Sequence, residues 1–342
     1  MERYIAIDNV CAWPNLTLLP NGEIVATIFN QPCHGRWQGD VDCWASVDGG
    51  RMWEYRGTPA PHDPETNRMN VAAGLAGNGD LVVIASGWSN RPTQEQVERG
   101  EAIEFRDSQC LEAWVCRSDD SGNSWSLNRS FPPAPEEGMG LVIPFGDVLP
   151  RGEDAAYVSG YSGKIGTAEE DYNSCYFLKS NDNGQTWGNG TIISAGHNNE
   201  TSPLHLGDGR WLAAARRISP GGTDLFRSED DGETWQFHTA LGLGMQHPAH
   251  LLRLADGKIL ITYGNRCRRM WGVDARISND EGDAWSPPVK LVDLGHTDLG
   301  YPSSVQTEDQ KIVTAYYAAR ANEHNRYHMG VVIWETEELF GK

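Results

Sequence analysis

The sequence predicts an all-β fold, a six-bladed propeller, from two repeats that run along its 342 residues. The first repeat is a short turn with the pattern Ser-x-Asp-x-Gly-x-x-Trp. It occurs at Ser46 to Trp53, Ser118 to Trp125, Ser180 to Trp187, Ser228 to Trp235 and Ser278 to Trp285. Asp and Ser side chains can bond their own backbone, and Gly supplies a positive φ, so each copy suits a hairpin turn. Five copies indicate a repeat architecture, because one such unit cannot bury its apolar face alone.

The second repeat is a strand, a turn and another strand, which complements the first. Six copies begin near Trp13, Met69, Ile143, Glu200, His247 and Tyr301. Within each copy, alternating apolar residues indicate strands, and the Pro, Asn and Gly clusters between them indicate turns. The copies are roughly 45 to 75 residues apart, which is typical of four-stranded propeller blades.

The last unit has no Asp turn, so both chain ends are expected to complete it. The candidate strands are Gly330 to Trp334 and Arg3 to Val10, and closing the ring in this way removes exposed sheet edges. The longest insertion, Ser89 to Cys110, is expected to form a loop or short helix over one face. Since no linker or low-complexity segment divides the chain, residues 1–342 are expected to form a single domain.

Composition limits the possible partners and cofactors. A formal net charge of −19 argues against nucleic acid and anionic membranes, which attract Lys and Arg in excess. The seven Cys are scattered without a CxxC spacing, so neither a disulfide framework nor a zinc site is expected, and no other metal or organic cofactor is implied. Without an apolar leader the chain reads as cytoplasmic, or as secreted if a signal has been removed. The oligomeric state stays open.

Several polar and aromatic residues are expected to meet at one mouth of the propeller. The first strand of each blade lines the central channel. Aligned on their turns, the strand starts carry Trp13, Asn70, Glu200, His247 and Tyr301. Arg216 and Arg266 lie near the end of the following strand, where the chain returns to that mouth. Such side chains arriving from separate repeats predict a binding or catalytic site.

The turns and inner-strand segments resemble the sialidase (neuraminidase) superfamily over essentially the whole chain. In NETSPLHLGDGRWLAAAR, Glu200 and Arg216 take the positions of a sialidase Glu and Arg with the same internal spacing. The segment GYPSSVQTEDQKIVTAYY resembles the one that carries the nucleophilic Tyr, which implies that role for Tyr301. The resemblance also implies a carboxylate-binding Arg upstream of this Tyr, for which the candidates are Arg266, Arg268 and Arg269.

The chemistry of these residue types is consistent with that resemblance. A Tyr has an ordinary pKa of about 10 and is a poor nucleophile unless a base such as Glu200 takes its proton. A neutral phenol approaches an anomeric centre beside a substrate carboxylate with less repulsion than Asp or Glu, and sialidases use such a Tyr. Arg216 and Arg266 can hold a substrate carboxylate through forked hydrogen bonds.

Two positions depart from the family pattern. The first sialidase Arg lies in an Arg-Ile-Pro motif, but this chain reads Ala12, Trp13, Pro14, so Arg36 and Arg68 become loop candidates for its role. The family's acid/base Asp comes from the loop before the first Asp turn, where NQPCHGRWQGDVDCW offers His34, Asp40 and Asp42. Asp40 is the expected acid by residue type, followed by His34.

The sequence therefore predicts an exo-acting glycoside hydrolase that removes a terminal, acidic sugar. Further candidates for substrate contact are Arg36, Arg68, Asn70, His247 and Arg269. One alternative keeps the fold but uses His34 and Tyr301 as acid and base on rhamnose- or uronate-containing glycans, by hydrolysis or β-elimination. Another is a non-catalytic glycan-binding propeller, which the missing Arg favours.

Overall fold

The regular secondary structure of the chain is almost entirely β-strand, as the sequence predicts. The computed structural model describes residues 1–101, 108–165, 172–321 and 324–341. Within these ranges the strands form five hydrogen-bonded sheets. Two short helices accompany them, α1 (Gln94–Glu98) and α2 (Thr336–Phe340). The helix α1 lies in the insertion expected to form a loop or short helix, of which residues 102–107 fall outside the described ranges.

The strands follow the chain order within the first two sheets. After β1 (Glu2–Asp8), the first sheet contains β2 (Cys11–Leu18), β3 (Ile24–Phe29), β4 (Val41–Ser46) and β5 (Glu54–Ala60). The second sheet contains β6 (Asn70–Leu75), β7 (Leu81–Trp88), β8 (Cys110–Ser118), β9 (Ser126–Asn128), β10 (Ile143–Arg151), β11 (Ala155–Gly163), β12 (Asn173–Ser180) and β13 (Gly188–Ser194). Its two halves, β6 to β9 and β10 to β13, are joined by a short parallel pairing of β6 with β10. All other pairings in it are antiparallel.

Three four-stranded sheets make up the rest of the described chain. The third contains β14 (Asn198–Gly207), β15 (Arg210–Arg217), β16 (Thr223–Ser228) and β17 (Gln236–Leu241). The fourth contains β18 (Gln246–Arg253), β19 (Ile259–Asn265), β20 (Gly272–Ser278) and β21 (Val289–Asp293). The fifth contains β22 (Leu299–Gln306), β23 (Ile312–Ala318) and β24 (His328–Trp334), with β1 at its edge.

Both chain ends share the fifth sheet. Strand β1 pairs antiparallel with β24, with Tyr4 opposite Val331 and Glu2 opposite Ile333. Ile7 of β1 is buried in the same apolar cluster as Val331 and Ile333. The prediction that strands from both ends complete this sheet is therefore confirmed.

The four-stranded sheets and the two halves of the eight-stranded sheet are each a run of four strands, with β22 taken as the first strand of the fifth sheet. The first strands of these runs contact one another in a closed cycle. Strand β2 contacts β6, then β10, β14, β18 and β22 follow in turn, and β22 contacts β2. A narrow cavity at the centre is lined by residues from several of these strands, among them Trp13, Phe145, His250 and Tyr301. Residues far apart in sequence thus meet where the inner strands converge.

Each of the five Asp turns connects the third and fourth strands of its four-strand run. All five turns have the same hydrogen-bond pattern. In the third copy the Ser180 hydroxyl donates to Asp182 (2.7 Å) and accepts from the Gly184 N–H (2.8 Å), while the Trp187 indole donates to the Gly184 carbonyl (3.1 Å). The same three bonds recur in the other four copies. The repeated residues are therefore those that close the turn.

Candidate active site

Three side chains from three strands meet at the candidate active site. The Tyr301 hydroxyl on β22 donates to Glu200 Oε1 on β14 over 2.6 Å. Arg216 Nη1 on β15 donates to Glu200 Oε2 (2.6 Å) and to the Tyr301 oxygen (2.9 Å). Tyr301 and Glu200 are 5% and 4% exposed, so the phenol and the carboxylate are shielded from solvent, whereas Arg216 is half-buried.

The electrostatics of the trio keep the phenol protonated. Burial raises the pKa of Tyr301 above its usual value, and the negative charge of Glu200 raises it further, whereas Arg216 opposes both. Burial, the largest single effect, lowers the pKa of Arg216, but the charge of Glu200, the neighbouring Tyr301 and the hydrogen bond to Glu200 together outweigh burial and hold the pKa above its usual range. The arrangement is a neutral phenol beside a carboxylate that can take its proton and a permanent cation.

Local irregularities in the inner strands present the side chains at this site. The antiparallel register breaks between Cys11 and Asn15 in β2, Asn198 and Thr201 in β14, Gln246 and Ala249 in β18, and Gly300 and Ser303 in β22. Trp13, Glu200, His247 and Tyr301 lie inside these four breaks. Tyr301 itself has φ +49°, which is rare for a residue with a side chain. Bulges and strained backbone of this kind re-aim side chains and are common beside functional sites.

Trp13 and Arg266 flank the Tyr301 ring. The Trp13 ring stacks on it with centroids 4.1 Å apart and planes 24° apart. Arg266 Cζ lies 5.4 Å from the ring centroid. Arg266 donates to the backbone carbonyls of His247 (3.1 Å) and Leu299 (2.8 Å), which fix it in this place. The chain thus has Ala12 where the Arg-Ile-Pro pattern has its Arg, and the ring of the next residue, Trp13, covers the Tyr301 ring.

His247 is a neutral neighbour of the two arginines. Burial lowers its pKa to about 3, and the charges of Arg216 and Arg266 act in the same direction. Its Nδ1 lies 3.2 Å from Arg266 Nη1 and can accept a hydrogen bond from it. The role that the structure suggests for His247 is to hold Arg266 without adding charge.

His34 reaches the same aromatic cluster and is paired with an aspartate. Its ring packs edge-on against Trp13, with centroids 5.0 Å apart, and its Nδ1 lies 3.2 Å from Asp298 Oδ1. Asp298 also accepts hydrogen bonds from the hydroxyls of Tyr317 (2.7 Å) and Tyr327. Burial alone raises the pKa of Asp298, but the hydrogen bonds from His34 and the two tyrosines outweigh it and hold the pKa well below its usual value. Asp298 is therefore a fixed anion that orients His34.

Sequence reasoning missed Asp298, although a signal was present. It lies three positions before Tyr301, just ahead of the start of β22. Tyr161 of β11 was also missed: burial raises its pKa well above the usual value, and the charge of Glu200 acts in the same direction. Asp298 lies just before the inner strand β22, and Tyr161 lies near the end of β11, the strand that follows the inner strand β10.

A cavity of about 760 Å³ opens beside the His34–Asp298 pair. Arg36, Trp37 and Tyr327 line it together with that pair. Arg36 is exposed, whereas Trp37 and Tyr327 are half-buried. His34 therefore stands between the Trp13–Tyr301 stack and a space large enough for a small molecule.

Asp40 lies in the same loop as His34 but makes different contacts. Its Oδ1 accepts from His62 Nδ1 (2.6 Å) and from the His62 backbone N–H (2.7 Å), and its Oδ2 accepts from Asn30 (3.2 Å). The neighbouring Asp42 is buried, which raises its pKa, and it accepts from Thr58 (2.7 Å). In the described part of the chain, no hydrogen bond or ion pair links either aspartate to Tyr301 or Glu200.

Four other candidates lie apart from the trio. Arg68 is buried, stacks on Trp114 with its Cζ 3.6 Å from the ring centroid, and has its pKa lowered to about 10 by burial. Asn70 is buried and bonds Ser86 on the neighbouring strand (3.3 Å). Arg268 and Arg269 are exposed in the turn after Arg266. Among the described residues, no hydrogen bond joins these four to Tyr301 or Glu200.

The described residues contain neither a metal-binding cluster nor a helix that could span a membrane. No group of three or more His, Cys, Asp or Glu side chains there is placed to hold a metal ion. None of the described helices has the length and apolarity needed to cross a bilayer.

Comparisons with known proteins agree with this architecture. Residues 101–314, more than half of the chain, match the family model described as a BNR repeat-like domain. No curated protein matches the sequence significantly. Among solved structures, a protein of unknown function from Dyadobacter fermentans is 23% identical, with a TM-score of 0.81 over 97% of each chain.

Sialidases are also among the similar structures. A mutant of NanB sialidase from Streptococcus pneumoniae is 14% identical, with a TM-score of 0.75 over 98% of this chain and 71% of that one. Trypanosoma rangeli sialidase is 15% identical, with a TM-score of 0.69 over 96% of this chain and 55% of its own. At these identities the likeness shows a shared fold. The chain belongs to the BNR repeat-like family and shares the β-propeller fold of these sialidases.

Proposed function

We propose that the protein is an exo-acting glycoside hydrolase of the sialidase type, which removes a terminal acidic sugar from a glycan. The observation that carries the proposal is the 2.6 Å hydrogen bond between the Tyr301 hydroxyl and Glu200, with Arg216 bonded to both. A nucleophile held by its own base is the arrangement that covalent catalysis requires. The fold shared with the sialidases supports the same reaction class.

In the proposed first step, Tyr301 attacks the anomeric carbon and transfers its proton to Glu200. The bond from that carbon to the glycosidic oxygen breaks, and the departing oxygen takes a proton from an acid. In the second step, water attacks the same carbon and gives a proton to that acid's conjugate base. The Tyr301 oxygen leaves and recovers its proton from Glu200, so the enzyme is restored and the configuration retained.

His34 is the better supported acid. It contacts Trp13, which stacks on Tyr301, and it faces the cavity where a leaving group can lie. Asp298 fixes its ring by accepting from Nδ1, in the way a carboxylate orients a catalytic histidine. Asp40 was preferred by residue type, but its hydrogen bonds are with His62 and Asn30.

Arg216 and Arg266 are proposed to orient the anionic group of the sugar. Arg216 has a buried Nε without a hydrogen-bond partner in the described structure, so part of its donor capacity is unused. Arg266 lies over the Tyr301 ring, with its Cζ 5.4 Å from the ring centroid. Arg36 lines the cavity and is exposed, and Ala12 stands where the family motif has its Arg, so two arginines are proposed to hold the anionic group.

The scaffold is proposed to be one domain of six blades spanning residues 1–342. Counting the eight-stranded sheet as two blades joined by the short β6–β10 pairing gives six runs of four strands. The closed cycle of contacts among the six first strands supports that count.

One observation favours a second candidate function on the same fold. In the place of the sialidase Arg-Ile-Pro motif this chain has Ala12, Trp13 and Pro14, without an Arg, and the acid candidate is a histidine paired with aspartate. These features suit a propeller enzyme that acts on rhamnose- or uronate-containing glycans, by hydrolysis or by β-elimination with His34 and Tyr301 as acid and base. A glycan-binding propeller without catalysis is the remaining alternative.

Product analysis separates these functions. The purified protein is incubated with terminal sialosides, uronosides and rhamnosides, with Tyr301→Phe protein as the matched control, and released sugars are identified by chromatography and mass spectrometry. The proposal predicts release of an intact acidic monosaccharide by the wild type and not by the variant. An unsaturated product that absorbs ultraviolet light indicates elimination, and saturable binding without any product indicates a lectin-like role.

A further inference from the structure

We infer that the cavity beside His34 is a subsite for the leaving-group sugar, and that Arg36 selects an anionic sugar there, a uronic acid or a sulfated residue. This inference rests on the proposed function and extends it, because it specifies the sugar on the far side of the cleaved bond.

The position of the cavity relative to the reacting groups is the first reason to assign it to the leaving-group sugar. Trp13 contacts the Tyr301 ring on one side and the His34 ring on the other. The acid must reach the glycosidic oxygen, so the departing sugar lies on its side of the bond. The space on that side is the cavity of about 760 Å³, which falls in the usual range of roughly 300 to 1,000 Å³ for small-molecule sites.

The charges that line the cavity are the second reason, because they indicate an anionic sugar. Asp298 is already engaged by His34, Tyr317 and Tyr327. Glu101 is paired with Arg99, Nε to Oε1, over 2.9 Å.

Arg36, by contrast, has no carboxylate within ion-pair distance in the described part of the chain. Arg36 is thus an exposed guanidinium on the cavity wall that is available to pair with an anion. Its planar fork of donors matches a carboxylate or a sulfate.

The aromatic rings and the second cavity around Arg36 are the third reason. The half-buried rings of Trp37 and Tyr327 line the cavity and give a flat apolar surface for the face of a sugar ring. A second cavity of about 540 Å³, lined by Trp88 and Ser108, shares His34 and Arg36 with the first. Arg36 therefore lies between two spaces, in reach of a charged group on a sugar in either of them.

The test measures binding apart from catalysis. Tyr301→Phe protein is titrated by calorimetry with methyl glucuronide, methyl galacturonide and glucose 6-sulfate, and with methyl glucoside as the neutral probe. The same titrations are run with Arg36→Ala added, with Arg36→Lys added, and with Arg51→Ala added as the control. Arg51 lies in the first Asp turn, paired with Glu2, and its removal changes the net charge by the same amount.

The inference predicts that anionic probes bind more tightly than methyl glucoside. Arg36→Ala should weaken anionic binding about tenfold or more, the size expected for a lost charged hydrogen bond, while Arg36→Lys loses less and Arg51→Ala nothing. The uronides and the sulfate distinguish the two sources of the anion. Equal binding of neutral and anionic probes, equal effects of the Arg36 and Arg51 substitutions, or no binding of any probe would overturn the inference. If one of these results is found while the wild type still hydrolyses glycosides, only the subsite inference is wrong. If anionic probes bind and nothing is hydrolysed, only the proposed function is wrong.

Discussion

At the scale of single residues, the site solves the problem of keeping a nucleophile and its base together out of water. Glu200 brings one negative charge into a buried setting, and Arg216 supplies the matching positive charge. Tyr301 enters as a neutral phenol and satisfies the second carboxylate oxygen. A buried ion is strongly destabilising unless it is paired and hydrogen-bonded, and here both oxygens of the carboxylate are occupied.

The acid can be assigned by comparing leaving groups. His34→Gln should lower kcat about 10²- to 10⁴-fold for a natural glycan, whose alkoxide leaves only after protonation, and much less for a nitrophenyl glycoside. Asp298→Asn should lower kcat in the same leaving-group-dependent way and alter the pH profile, because it leaves His34 without its anionic partner. Asp40→Asn is the matched control, and a leaving-group-dependent loss in that variant instead would move the acid role to Asp40.

His247 gives the native state an acid-sensitive contribution to stability. Its folded pKa of about 3 lies below the unfolded value of about 6.5. Between these values the unfolded chain holds a proton that the native state does not, so the free energy of unfolding falls as the pH falls below 6.5. Between pH 7 and pH 4, the free energy of unfolding of the His247→Gln protein should therefore fall less than that of the wild type, by an amount on the order of 2 kcal/mol.

Chemical denaturation across that pH range measures the effect. His197→Gln, at an exposed histidine, is the control and should keep the wild-type pH dependence. If the two variants show the same slope, His247 is not the group responsible.

At the scale of the elements, the Asp turns and the strand irregularities have separate tasks. The turns close the outer hairpins through bonds within eight consecutive residues, whereas the irregularities shape the inner strands where functional side chains lie. Changes in a turn should therefore reduce stability without altering the site.

The second Asp turn allows a matched test of that separation. Asp120 Oδ1 accepts from the Ser118 hydroxyl (2.7 Å) and from the backbone N–H groups of Asn123 (3.0 Å) and Ser124 (2.8 Å). With the Ser124 hydroxyl, these bonds lower the pKa of Asp120 to about 2. Asp120→Ala should lower the free energy of unfolding by about 1–2 kcal/mol and leave kcat unchanged. Asp119→Ala, at the exposed neighbouring position, should change neither, and a large loss of activity in Asp120→Ala would contradict the separation.

Local sequence patterns predicted the turns, the hairpins and the shared sheet of the two ends because each depends on residues close in sequence or on simple apolar periodicity. The pair Tyr301 and Glu200 could be proposed because both lie at strand starts in segments that resemble a known family. The His34–Asp298 pair could not, since its members are 264 residues apart and their meeting depends on how a loop lies over β22. The register breaks at Trp13 and His247 carry one local mark, the Pro that follows each residue, but a Pro in a strand does not specify which side chain the break turns into the site.

At the scale of the whole molecule, the ring is closed by the pairing of the first strand with the last. This pairing removes a free edge from the fifth sheet and sets β2 against β22, so that Trp13 can stack on Tyr301. Closure therefore supports the geometry of the site as well as the stability of the fold.

The two faces of β1 allow closure to be tested. Ile7 is 3% exposed, whereas Ile5, two positions earlier, is 46% exposed. Ile7→Ala should lower the free energy of unfolding by about 2–3 kcal/mol, since a buried side chain leaves a cavity, and Ile5→Ala by well under about 1 kcal/mol. Thermal and urea unfolding measure both, and equal effects of the two substitutions would show that β1 does not seal the core.

The most direct test of the central claim is to trap the covalent intermediate on Tyr301. A fluorinated analogue of the sugar identified by product analysis slows the second step, and peptide mass spectrometry then locates the attached sugar. The account predicts one added sugar on the peptide that contains Tyr301, in the wild type and not in Tyr301→Phe. A sugar attached to another residue, or full turnover by Tyr301→Phe, would contradict it.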